Sequence, residues 1–314
     1  MGKKIICFLW IFFIILLLFS TLAFFAIKKG WIGYMPPLEE LQNPINKYAS
    51  QILSEEGKLL GTWSRSENRV FVNYDEITPY LFQALVATED ERFYKHSGID
   101  VIALGRAVVK RGILGNKNAG GGSTITQQLA KQLYSTTAGS TAERLLQKPI
   151  EWVIAVELEK RYTKEEILTL YLNYFDFLHN AVGIKTAAST YFGKQPKDLT
   201  IAESATLIGM CKNPSYYNPA REPERCRDRR NVVLGQMLKA GYLSTAEYNE
   251  LCQEPLKLNF HRTDHKEGKA TYLREYLRKI LMAEKPVRSN YASWQKQQYY
   301  EDSLAWEKNP LYGW

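Results

Sequence analysis

The stretch Ala87-Thr-Glu-Asp-Glu-Arg-Phe-Tyr-Lys-His-Ser-Gly98 follows an apolar helical face formed by Leu81, Leu85 and Val86. Two adjacent acids, Glu89 and Asp90, close that face, and aromatic and imidazole side chains lead from them to a glycine. Thr78-Pro79 just upstream reads as a helix start, with proline at the first helical position. The text stays helical further along the chain. Thr163-x-x-Glu166, Thr200-x-x-Glu203 and Ser244-x-x-Glu247 match the pattern in which a hydroxyl and a carboxylate cap each other's backbone amides. Apolar residues recur behind them at helical spacing, as in Ile167, Leu168, Leu170 and Tyr171. The fold class is therefore mainly α. One short hairpin is expected over Gln51 to Leu60, turning at Glu56-Gly57. The final stretch, Lys285 to Trp314, is polar and aromatic without a clear period, and no closing element is expected there.

The 314 residues are 45% hydrophobic and 24% charged, which excludes a wholly disordered, collagenous or disulfide-knot protein. A net charge of +8 favours anionic partners: phospholipid, phosphorylated substrate or nucleic acid. The four cysteines form no C-x-x-C pair, and with only 4 histidines no metal site reads out. Ile5 to Ile27 contains no charged residue and is long enough to cross a bilayer's hydrocarbon core of about 30 Å. That run is too long for the apolar region of a cleaved signal peptide. An anchor and the lack of any recognised nucleic-acid module leave nucleic acid as an improbable partner. Lys3 and Lys4 before the span balance Lys28 and Lys29 after it, so charge does not orient it. The organisation expected is a cytoplasmic tip and membrane helix over 1–29, a linker and hairpin over 30–75, a helical domain over 76–255, and a linker over 256–314.

Two more segments carry chemistry. In Gly120-Gly-Gly-Ser-Thr-Ile-Thr-Gln-Gln-Leu-Ala-Lys131, a glycine loop opens onto a helix whose Thr124, Gln128 and Lys131 share one face. A helix start with free amides, followed by a lysine, suits a phosphate or pyrophosphate, although no P-loop Gly-Lys-Ser/Thr follows the glycines. In Gln147-Lys-Pro-Ile-Glu151, Lys148 and Glu151 lie three residues apart at what reads as the start of a buried helix. Taken singly, each segment is equally well a solvated helix face.

In this order and spacing the segments resemble the peptidoglycan glycosyltransferase domain (glycosyltransferase family 51) of class A penicillin-binding proteins and monofunctional transglycosylases. The matching motifs are Glu89-Asp-x-x-Phe93-x-x-His96-x-Gly98, Gly121-Gly-Ser-Thr-Ile-Thr-Gln-Gln-Leu-x-Lys131, Lys148-x-x-Glu151, Glu166-Ile-Leu-x-x-Tyr-Leu-Asn173 and Lys212-Asn-Pro-Ser-x-Tyr-Asn-Pro219 with an arginine-rich helix after it. The likeness runs from about Ala49 to Leu251.

The resemblance implies a lysozyme-like helical fold that polymerises lipid II into glycan strands by inverting transfer, releasing undecaprenyl pyrophosphate. It implies Glu89 as general base, Glu151 assisting the leaving group through a divalent ion (magnesium or manganese) or a water, and Lys131 and Lys148 on the pyrophosphate. Asp90, Phe93, His96, Thr124 and Gln128 would shape the cleft. It places the catalytic part outside the cytoplasmic membrane on a single-pass anchor, with lipid II, the growing strand, membrane lipid and a cell-wall synthesis complex as partners. The basic segment Val101 to Asn116 would lie against anionic lipid. The family usually has arginine where this chain has Gln147, so one cationic contact is expected to be absent or supplied by Arg144. No Lys-Thr-Gly or Lys-Ser-Gly follows, so no transpeptidase site is expected, and the end at Trp314 suggests the front part of a longer bifunctional chain. Two other readings remain open: a membrane-bound glycan hydrolase or lytic transglycosylase, and an anchored binding protein indifferent to Glu89 and Glu151.

Overall fold

A computed structural model describes residues 2–42, 44, 50–56, 59–63, 69–109, 115, 121–135, 140–261, 270–281 and 285–308. The fold is mainly α-helical. Helix α1 (Gly2–Lys28) is the apolar N-terminal span, and its stretch Lys4–Lys28 is long and apolar enough to cross a membrane. A short α2 (Leu38–Gln42) follows. The helical body then comprises α3 (Pro79–Glu89), α4 (Val101–Ala107), α5 (Ile125–Tyr134), α6 (Thr141–Glu159), α7 (Lys164–Tyr174), α8 (Ile184–Phe192), α9 (Ile201–Met210), α10 (Pro223–Lys239) and α11 (Thr245–Gln253). The capping pattern foreseen at Thr163, Thr200 and Ser244 is realised in full, each hydroxyl accepting from the amide three residues on and each glutamate accepting from the cap's amide.

The core is built around α9, which packs on α3 and α10 and buries Leu207, Ile208 and Met210 completely. Each such side chain contributes roughly 1.5–3 kcal/mol by leaving water. Helix α5 packs on α6 and α7, with Ile125 and Leu129 fully buried. The N-terminal helix is docked on this body: Phe24 stacks on Trp152 of α6, and Lys28 reaches Glu157 at 3.4 Å. Two tyrosine hydroxyls strap α2 down, Tyr134 donating to the Glu40 carbonyl at 3.0 Å and Tyr162 to the Leu41 and Gln42 carbonyls at 2.7 and 2.8 Å.

The chain forms two compact units, residues 1–47 with 69–262, and residues 48–68 with 263–314. In the second, β1 (Ser50–Leu53) pairs antiparallel with β2 (Leu59–Trp63), Ser50 opposite Trp63, with a bulge after Ile52. Gly57, foreseen in the turn, lies outside the described residues. Helices α12 (Thr271–Leu281) and α13 (Lys296–Lys308) complete the unit. The second of these stands where the sequence offers no period. Its residues are polar almost all round and none is buried, so it shows no apolar stripe.

Candidate active site

Glu89 is the last residue of α3. Its Oε2 accepts a hydrogen bond of 2.9 Å from Gln128 Nε2 on α5, and Gln128 Oε1 accepts one of 3.2 Å from the Tyr171 hydroxyl on α7. Burial, with Cys211 and Glu89 nearby, pushes the Tyr171 phenol well above its ordinary range, and burial beside Glu89 does the same to the Cys211 thiol. Both remain protonated, so they surround the carboxylate with neutral groups. Among the described residues, the cation paired with it is Arg229 of α10, whose Nη2 lies 3.9 Å from Glu89 Oε1. Sequence reasoning noticed the arginine-rich helix but not this residue. Its approach depends on Gly209 of α9, where an added Cβ would stand 3.2 Å from Arg229 Cγ.

Asp90, the cap residue after α3, is an organiser. Its Oδ2 accepts from the Ile125 amide at 3.1 Å and lies 3.0 Å from His96 Nε2. Thr124 accepts from the Gln127 amide and donates to the Gly98 carbonyl at 2.7 Å. Gly98 itself has φ +90°, and a Cβ there would come within 3.0 Å of the Ala155 backbone. Phe93 is fully buried, with Lys164 Nζ 4.2 Å above its ring. These contacts correct one expectation. The start of α5, foreseen as a phosphate cradle, is occupied by a carboxylate and a threonine hydroxyl, which disfavours an anion there.

The cations gather instead one turn along α5 and across on α6. Helix α6 begins at Thr141, capped by Ser140, and runs through Pro149, so Glu151 is an interior residue and not at the helix start as expected. Glu151 is fully buried and held by Lys148 Nζ at 2.7 Å, Arg144 Nη1 at 3.1 Å and the Ser135 hydroxyl at 3.4 Å. The same Arg144 nitrogen donates to Gln147 Oε1 at 3.2 Å. Lys131, on the last turn of α5, faces solvent beside this group. Partial burial and the charges of Arg144 and Lys148 push its ammonium below the usual lysine range, with Glu151 opposing. Three cations around one buried carboxylate leave local positive charge, which an arriving anion relieves. From Gln128 to Lys131 the rise along α5 is about 4.5 Å, so the carboxylate pole and the cationic pole share one helix face a turn apart.

A divalent ion fits this donor set poorly. Both Glu151 oxygens are engaged by cations, both Asp90 oxygens lie within 3.1 Å of His96, and among the described residues no three His, Cys, Asp or Glu side chains converge. On the outer surface, Val101, Ile102 and Val108 around α4 are exposed and apolar. Lys110 and Arg111, expected to face lipid with them, lie outside the described residues.

The model of a family described as Transglycosylase matches residues 56–238. Penicillin-binding protein 1A of Haemophilus influenzae is 37% identical over 262 residues, covering 83% of this chain and 29% of that protein. Penicillin-binding protein 1F of Bacillus subtilis is 43% identical over 182 residues, covering 58% of this chain and 25% of that protein. The chain thus spans less than a third of the length of either relative. A crystal structure of penicillin-binding protein 1A from Haemophilus influenzae is similar at 25% identity and a TM-score of 0.38, over 75% of this chain and 24% of that one.

Proposed function

Because this chain belongs to the transglycosylase family, we propose that it polymerises lipid II into glycan strands. The observation that carries the reading is the placement of the Glu89 carboxylate, bonded to Gln128 of α5, about one helical turn from a cationic group formed by Lys131 of α5 with Arg144 and Lys148 of α6. Glu89 accepts the proton of the attacking sugar hydroxyl. That oxygen bonds to the donor's anomeric carbon from the face opposite the phosphate, the carbon–oxygen bond to pyrophosphate breaks, and its electron pair leaves with undecaprenyl pyrophosphate. The configuration inverts from α to β. Lys131, Lys148 and Arg144 neutralise charge that grows on the leaving group, an interaction stronger in the transition state than in the ground state. Helix α1 anchors the protein in the cytoplasmic membrane with the helical body on the outer side, among other proteins of cell-wall synthesis.

Incubation of the purified chain in detergent with labelled lipid II tests the reading, with Glu89→Gln beside it. Polymer and free undecaprenyl pyrophosphate from the wild type alone support it. Shortening of added glycan without release of lipid pyrophosphate would identify a hydrolase instead.

A further inference from the structure

Each oxygen of Glu89 faces a different helix. Oε2 is taken by Gln128 of α5 at 2.9 Å, and Oε1 looks toward Arg229 Nη2 of α10 at 3.9 Å. The second distance is too long for a hydrogen bond, yet short enough for the charges to feel each other. The guanidinium is an unusual neighbour for a base. Its Nε is buried without a partner, and among the described residues it donates no hydrogen bond. Its position is nevertheless fixed. The stem passes Gly209 of α9, where an added Cβ would stand 3.2 Å from Arg229 Cγ, and the guanidinium carbon lies 5.8 Å from the Tyr217 ring. Tyr217 is itself held edge-on by Tyr216, with centroids 4.9 Å apart. A charge held in place with unused donors is ready to receive an acceptor atom.

The width of the gap says which atom. An oxygen about 2.7 Å from the carboxylate and about 2.9 Å from the guanidinium spans 3.9 Å with an angle of about 90° at the oxygen, and an opening of about 0.7 Å makes that angle tetrahedral. Both side chains keep some exposure, 18% for Glu89 and 11% for Arg229, so a ligand can reach them. The bridging group must donate to one side and accept from the other. A carbonyl cannot donate and an ammonium cannot accept, whereas an alcohol does both. We propose that Glu89 and Arg229 together clamp the acceptor sugar's hydroxyl, with Arg229 a second catalytic residue that touches the attacking oxygen. The inference rests on the transferase reading above. The hydroxyl proton passes to Glu89 Oε1 and the oxygen bonds to the donor's anomeric carbon. The carbon–oxygen bond to pyrophosphate breaks, and its electron pair leaves with the pyrophosphate. Arg229 stays protonated throughout. Its partner changes from the carboxylate, which becomes neutral, to the oxygen, on which negative charge gathers, so the charge near Arg229 stays compensated during transfer.

Two measurements on the full chain in detergent test it. In the first, a fluorescent lipid II analogue with a non-transferable phosphonate link, which can only accept, is titrated beside its 4-deoxy counterpart. Excess isoprenyl pyrophosphate fills the donor side. Wild type is expected to prefer the 4-hydroxyl ligand by about tenfold, and Arg229→Gln to lose that preference. A preference that survives in the variant, or none in wild type, would overturn the clamp. In the second, the phosphonate acceptor is varied against a saturating 4-deoxy lipid II, which can donate but not attack. Arg229→Gln should raise the acceptor's KM and lower kcat, about 10²-fold in kcat/KM, with the donor's KM and the melting temperature unchanged. Equal shifts for donor and acceptor, or a loss that tracks the melting temperature, would reduce Arg229 to a structural part. Arg229→Lys keeps the charge and shortens the reach, so the hydroxyl preference should stay lost. Its full return with lysine would make the residue a mere counter-ion and sink the clamp. Arg229→Gln turning over natural lipid II at the wild-type rate would remove the clamp and leave the transferase reading intact. A wild type that makes no product from natural lipid II would instead remove that reading, and the titration would still decide the clamp.

Discussion

Among the described residues, Glu89 has one hydrogen-bond donor, Gln128, and one distant cation, Arg229, an environment that suits a carboxylate meant to take a proton from a substrate hydroxyl. Glu151 is the opposite case, fully buried with both oxygens engaged by cations. Glu89→Gln should therefore lower the polymerisation rate by about 10²–10⁴-fold, with an unchanged melting temperature. Near-wild-type turnover in that variant would assign the base elsewhere. At the cationic pole, Lys148→Gln removes a charge from the proposed leaving-group site and also strips Glu151 of its 2.7 Å partner. It should abolish polymer and lower the melting temperature together, since a buried carboxylate loses one of its two counter-ions and keeps only Arg144. Gln147→Arg adds a cation on the same helix face as Arg144 and should be tolerated in a polymer-yield assay. An inactive Gln147→Arg protein would place the donor phosphates away from α6.

Asp90 acts at the scale of elements, because it ties the end of α3 to the start of α5 and to His96. Asp90→Ala leaves the Ile125 amide without its partner and should cost about 1–3 kcal/mol in denaturant unfolding. An unchanged midpoint would remove its organising role. The junction of α1 with α6 has its own signature in acid. Burial raises the Glu157 carboxyl, but the hydrogen bonds from Arg161 and Lys160, joined by Lys28, outweigh it and hold it down to about 2 from an ordinary 4.5. A carboxylate depressed in the folded state stabilises above its unfolded value and loses that contribution as pH falls toward the folded one. The melting temperature should fall between about pH 4.5 and about pH 2 more steeply in wild type than in Glu157→Gln. The helices, their caps and the clustered motifs were legible because each signal lies within a few neighbouring residues. What was not legible depends on distant approach. Arg229 meets Glu89 across 140 positions, and the Asp90 carboxylate reaches the α5 amide across 35. Nothing in the local text of α5 tells that its first amide is already taken. Helix α13 escaped for a different reason, since a helix that buries nothing writes no stripe.

For the whole molecule, the N-terminal span is not a loose leash. It touches the catalytic body through Phe24 on Trp152 and Lys28 on Glu157, so removal of residues 1–28 should slow turnover at low substrate concentration and also lower the melting temperature. Equal rates on vesicles, with and without the span, would separate the anchor from catalysis. The tyrosine straps on α2 carry a further consequence. With Tyr134 and Tyr162 pinning the segment that follows the apolar span, the helical body is held at a fixed height from that span. On the proposed function, every strand this chain makes would therefore be started at the same short distance from the bilayer face.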